Sequence, residues 1–172
     1  MTSVTIRPAV RSILIAGVGN IFHGDDGFGV EVARRMAGRA LPEQVRVSDF
    51  GIRGFDLAYA LTDEHEAVIL VDATRRGESP GTIYALEIDP NVQTPGPVET
   101  HGMDPANVLR LVAALGGRPR RVLLVGCEPS AIDAEAEGMT GLSAPVEAAV
   151  DSAIEMALSL VARIREERSP GA

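Results

Sequence analysis

Lysine is absent from this 172-residue chain, and all 16 of its basic residues are arginine. A nucleotide-binding P-loop needs a lysine after its glycines to reach the phosphates, so that class is excluded. Cysteine occurs once, which excludes an internal disulfide and a zinc site built from several thiolates. No apolar run reaches the length of a membrane span, and the opening MTSVTIRPAVRS lacks the apolar centre of a secretory signal. The G-x-S-x-G turn of a serine hydrolase is missing as well. Positive charge is in deficit: a net charge of −8 argues against nucleic acid as a partner. The expectation is a soluble, cytoplasmic protein that engages neither nucleic acid nor membrane. Arginine-only usage reads as genomic bias, since no single site would demand it.

What is present is a hydrophobic fraction of 45%, enough for one domain spanning residues 1–172 with short flexible ends at 1–10 and 169–172. Short apolar runs at 12–17, 67–73 and 121–127 read as buried strands, and 45–50 and 82–88 as further strands. Helical patterns lie between them. One starts near Asp25 or Asp26 and ends before Pro42, and another covers 54–61. A third has Asp104 as N-cap and Pro105 in the first helical position. The last begins after Ser143, with Val146, Val150, Ile154, Leu158 and Val161 on one stripe. Residues 89–102 and 128–141 read as irregular loops. The order β-α-β-α-β-β-α-β-α predicts an α/β three-layer sandwich, a mostly parallel twisted sheet of about five strands flanked by helices. Such sheets bind ligands beyond the carboxyl ends of their strands.

The stretch GVGNIFHGDDGFG, residues 17–29, follows the first strand. It is not a dinucleotide fingerprint, because Phe22 stands where the third glycine belongs and the close helix–strand packing that glycine permits is lost. Asp25 and Asp26 would also repel a pyrophosphate. Asp26 after one strand, Asp72 at the end of another and His101 in a loop before a helix form an O,O,N set that suits a borderline divalent ion, with positions left open for a substrate. Plainer readings compete with this one. Either aspartate of the pair caps a helix, Asp72 accepts loop N–H bonds, or His101 is an ordinary loop histidine. His23 and His65 read as more ordinary: His23 is near the rim but in the flexible part of its loop, and His65 is in a solvated connection. Glu128 is a rim group or a plain surface acid, Arg53 meets a carboxylate or faces water, and Cys127 is a nucleophile or a small buried apolar side chain.

The block ILIAGVGNIFHGDDGFGVEVARRM resembles the N-terminal motif of the hydrogenase maturation endopeptidases, which process the large subunit of [NiFe] hydrogenases. DFGIRGFDLAYAL, AVILVDA, ETHGMDPANVLRL and VLLVGCEP resemble further blocks of that family, in the same order. The resemblance places the family's metal-contacting and catalytic positions on Asp26, Asp72 and His101. It implies an endopeptidase that removes a C-terminal extension from the nickel-loaded large-subunit precursor, its protein partner. The nickel would arrive with that substrate, and other divalent ions could occupy the site in isolation. A non-enzymatic nickel chaperone or scaffold on the same fold is the alternative.

Overall fold

The computed structural model describes residues 11–91, 105–131 and 136–168. His101, the Asp104 cap and the two chain ends named above lie outside these residues. The described residues form a five-stranded sheet in the order β2-β1-β3-β5-β4. The strands are β1 (Ile13–Val18), β2 (Val45–Gly51), β3 (Ala67–Ala73), β4 (Ile83–Ile88) and β5 (Val122–Cys127). The helices are α1 (Phe28–Ala37), α2 (Gly54–Ala60), α3 (Pro105–Ala114) and α4 (Ala144–Arg168). β1, β2, β3 and β5 run parallel, and β4 pairs antiparallel with β5 at one edge.

The three inner strands β1, β3 and β5 are buried at every position because both faces of the sheet are covered. On one face Ile13, Ile15, Ile69, Val71, Leu123 and Val125 pack against Phe28, Val32 and Met36 of α1 and Val146, Val150 and Ile154 of α4. On the other, Leu14, Val18, Val68, Leu70 and Leu124 pack against Leu57 and Leu61 and against Val108, Leu111 and Val112 of α3. Each fully buried Leu, Ile or Val contributes roughly 1.5–3 kcal/mol relative to an exposed one. Edge strand β4 alternates only loosely and stays half exposed. No helix among the described residues is long and apolar enough to cross a membrane.

Three sequence expectations need correction. A 3-10 turn, Gly24–Gly27, precedes α1, and neither aspartate of the pair makes a side-chain cap on it or on α1. The tight helix–strand packing denied by Phe22 is present, supplied instead by Gly17 and Gly29: a Cβ on Gly17 would sit 2.2 Å from the Gly29 carbonyl oxygen. His65 is buried rather than solvated. Its Nε2 donates to the Ala60 carbonyl, which only accepts, at 3.1 Å, and its Nδ1 is hydrogen-bonded with the Ser12 hydroxyl at 2.8 Å.

Cys127 is fully buried on the α1/α4 face, and its thiol is pushed up from 9.0 to about 12, first by burial and then by the charges of Asp25 and Glu128. A protonated, enclosed thiol is no nucleophile. Iodoacetamide at pH 8 is therefore expected to leave the native chain unmodified and to label it quickly in urea; rapid labelling of the native chain would contradict this. The raised value also means that stability falls as pH climbs from 9.0 towards about 12, because the unfolded thiol ionises first.

Candidate active site at the carboxyl edge of the sheet

The chain leaves β1 for β2 on one side, then returns to lay β3 on the other side of β1. The carboxyl ends of β1 and β3 thus flank the point where strand order reverses, the place where open α/β sheets form their binding crevice. Asp26 lies in the turn after β1, and Asp72 is the penultimate residue of β3. The turn packs directly on β3. Gly29 shows how closely: a Cβ there would fall 2.0 Å from the Val71 carbonyl oxygen, one residue before Asp72. Topology and close packing together bring the Asp26 turn and the Asp72 strand end to one place.

Local hydrogen bonds fix the Asp26 turn. The Asn20 N–H donates to Asp26 Oδ2 at 2.8 Å, and the Gly19 N–H donates to the Gly51 carbonyl at 3.0 Å, tying the loop to the end of β2. Gly19 adopts φ +129°, and a Cβ there would meet the Asp26 carbonyl oxygen at 1.7 Å, so this wrap requires glycine. Asp72 shares the α2/α3 face with Val68 and Leu70 by strand alternation and is buried, 7% exposed. Among the described residues no three His, Cys, Asp or Glu side chains cluster closely enough to hold an ion. His101 lies outside the described residues.

Asp25 and Asp26, adjacent in sequence, have different surroundings. Asp25 is 2% exposed and gathers distant chain: its Oδ2 accepts from the Ser130 N–H and the Ser143 hydroxyl, both at 2.8 Å, and its Oδ1 from the Ser143 N–H at 2.6 Å. It thereby pins the β5–α4 connection and the residue before α4 onto the turn. The Gly24 N–H to Met139 carbonyl bond, 2.8 Å, and the Gly138 N–H to Phe22 carbonyl bond, 2.9 Å, continue the seam. Asp25 is therefore the scaffold member of the pair.

Glu128 stands at the rim, directly after β5, and is not a surface acid. It is buried, and its carboxylate accepts from the main-chain N–H groups of Arg76 at 2.7 Å and Gly77 at 3.3 Å. Arg53 turns back on its own loop: Nε donates to the Phe50 carbonyl at 3.1 Å, a second donor reaches the Asp49 carbonyl, and Asp56 is 3.8 Å away. Sequence reasoning missed Tyr84 of β4. Its ring is packed against Gly126, its hydroxyl donates to the Thr74 carbonyl at 3.0 Å, and the Arg76 guanidinium lies 4.7 Å from the ring centroid. Burial chiefly raises the Tyr84 pKa, the Thr74 hydrogen bond and Arg76 lower it, and Glu128 and Asp72 add to the rise. A glycine at the strand end, Gly126 in VGC, was the available signal. Large apolar side chains also stand exposed around this edge: Ile21 and Phe22 after β1, Ile52 and Phe55 at the start of α2, and Met139.

Fold and site define a single-sheet α/β protein with carboxylates gathered at its switch point. Comparison with known proteins narrows the class. The hydrogenase maturation protease family profile (HycI) matches residues 30–160. The chain is 32% identical over 157 residues to the hydrogenase expression/formation protein HupD of Rhizobium leguminosarum, covering 90% of this chain and 76% of that one. It is 29% identical over 161 residues to the hydrogenase 2 maturation protease of Escherichia coli, covering 92% and 95%. The solved structure of the Escherichia coli hydrogenase maturating endopeptidase HybD superposes with a TM-score of 0.72 at 29% identity, over 88% of this chain and 93% of that one. The chain belongs to the hydrogenase maturation protease family, a class of peptide hydrolases.

Proposed function

We propose that this protease removes the C-terminal extension of a nickel-loaded [NiFe] hydrogenase large-subunit precursor and that Asp26, Asp72 and His101 contact the precursor's nickel. The observation that carries the reading is the meeting of the Asp26 turn with the Asp72 strand end at the switch point. Two carboxylates drawn together repel one another unless a cation lies between them. Two oxygens and an imidazole nitrogen, with no thiolate, suit nickel but grip it only moderately. Moderate grip fits an ion held mainly by the substrate, because a tightly filled resident site could not report whether a precursor is loaded. The exposed apolar residues around the edge support a protein substrate over a small molecule.

In this reading the nickel orients the scissile peptide, and Asp26 accepts a proton from the attacking water. Asp72, fixed by its strand, supplies the second carboxylate, and His101, four residues before α3 in sequence, completes the set. The test is to weigh the large-subunit precursor after incubation with the protein, with and without nickel in the precursor. Shortening of the nickel-loaded form alone is the expected result. An intact precursor in a stable complex would overturn the proposal in favour of a chaperone.

A further inference from the structure

We infer that the Arg76 guanidinium, stacked on Tyr84 beside the Asp72 strand end, anchors a carboxylate carried by the substrate's tail. This rests on the proposed reading of the edge as a peptide cleft, and it adds a specificity-determining residue to it.

The support under Arg76 is built from three elements. Tyr84 and Asp72 both pair with Gly126, one from each side, so their side chains lie in one row on one face of the sheet. Gly126 leaves that row open and the Tyr84 ring fills the gap: a Cβ on Gly126 would sit 2.4 Å from ring carbons. The Tyr84 hydroxyl is held by both the carbonyl and the hydroxyl of Thr74. Glu128 fixes the main chain of the β3–β4 turn from beneath, through the N–H groups of Arg76 and Gly77. The far side of the turn is tied to residue 128 as well, by the Gly81 N–H to Glu128 carbonyl bond at 2.8 Å and the Glu128 N–H to Thr82 carbonyl bond at 2.9 Å. An exposed arginine on a free loop would lose much side-chain entropy on binding; this one is positioned beforehand.

The charge is also left available. The buried acid Glu128 contacts the turn, yet both its oxygens serve main-chain N–H groups, and the Arg76 guanidinium forms no ion pair with a described residue. Stacking occupies a face of the guanidinium and leaves its N–H edge outward, the arrangement that meets a carboxylate with two parallel hydrogen bonds. The chain carries a net charge of −8 and Asp26 and Asp72 lie at this edge, so an anionic group arriving there needs a local cation, and Arg76 offers one. Two strand spacings separate Tyr84 from Asp72, about 10 Å. That is roughly three residues of extended peptide, so the anchored carboxylate lies a short way along the tail from the group held at Asp72.

The carboxylate is either the tail's C-terminus or an acidic side chain, and the experiment separates them. A fluorescent synthetic peptide of the precursor tail is prepared as free acid, as C-terminal amide, and with its acidic side chains changed to amides. Each is titrated against the native chain, Arg76→Gln and Arg76→Lys by polarisation. The expected result is that Arg76→Gln weakens the free-acid peptide about tenfold. One of the two neutralised peptides loses the same amount on the native chain and loses nothing further on Arg76→Gln. Arg76→Lys, with charge but no fork, recovers only part. Equal binding of all peptides to native and Arg76→Gln chains, additive losses, or no binding of any peptide would overturn the inference. The precursor-weighing assay runs in parallel. If Arg76→Gln shortens the precursor with native KM, only the anchor falls; if the native chain never shortens it, the proposed function falls.

Discussion

Asp26→Asn is expected to melt with the native chain and to shorten the precursor on the order of a thousandfold more slowly or worse. The amide keeps an oxygen that can accept the Asn20 N–H, which Asp26 Oδ2 accepts at 2.8 Å, so the turn retains that tie. What disappears is the negative charge and, in the proposed reading, both the attraction for the substrate's cation and the capacity to take a proton from water. Asp25→Asn supplies the contrast. Both Asp25 oxygens accept main-chain N–H groups, from Ser130 at 2.8 Å and Ser143 at 2.6 Å, so an amide nitrogen in either place faces another donor. That variant should lose stability first and activity only as a consequence, because a buried donor left without an acceptor costs about 1–3 kcal/mol. Thermal melts and the weighing assay on both variants check the assignment. Native processing by Asp26→Asn, or processing lost only where the melting temperature falls, would reject Asp26 as the working carboxylate.

The sequence showed the frame of this site better than its furniture. β1, β3 and β5 were legible because strands covered on both faces leave continuous apolar runs, and the alternation of elements set four of five strands parallel. Parallel strands put the residues after β1 and at the end of β3 on one edge, so the neighbourhood of Asp26 and Asp72 followed from topology. The division of labour between Asp25 and Asp26 did not. The partners that make Asp25 structural are Ser130 and Ser143, more than a hundred positions away, and no periodicity encodes such a contact. Glu128 was ambiguous for the same reason: its partners are main-chain N–H groups of the β3–β4 turn, which any residue would present. His65 looked solvated because TDEHEA is polar, yet Ser12 and the Ala60 carbonyl satisfy both ring nitrogens and allow burial.

Gly29→Ala is expected to be among the most damaging single methyl additions to the described residues. Its Cβ would lie 2.0 Å from the Val71 carbonyl oxygen, 2.4 Å from the Val18 carbonyl oxygen and 2.8 Å from the Val18 nitrogen. All three are main-chain atoms of paired central strands, so no side chain can rotate aside; α1 must lift from the sheet or the β1–β3 ladder must part. Lifting α1 also opens the packing of Phe28, Val32 and Met36. A loss on the order of 3 kcal/mol or more follows, which for a chain of this size lowers the melting temperature by roughly 6–12 °C. Gly38→Ala is the control. Gly38 ends α1 with φ −85°, a conformation open to alanine, and the nearest atom to its Cβ is 3.9 Å away. That variant should melt at or slightly above the native temperature. Because Gly29 presses the start of α1 against the strand that carries Asp72, the clash also reaches the cleft: even Gly29→Ala molecules that remain folded hold the Asp26 turn farther from β3 and should process precursor poorly. A Gly29→Ala chain that melts with the native one would mean that helix and sheet are not in contact at this point, and the convergence of the two aspartates would lose its physical basis.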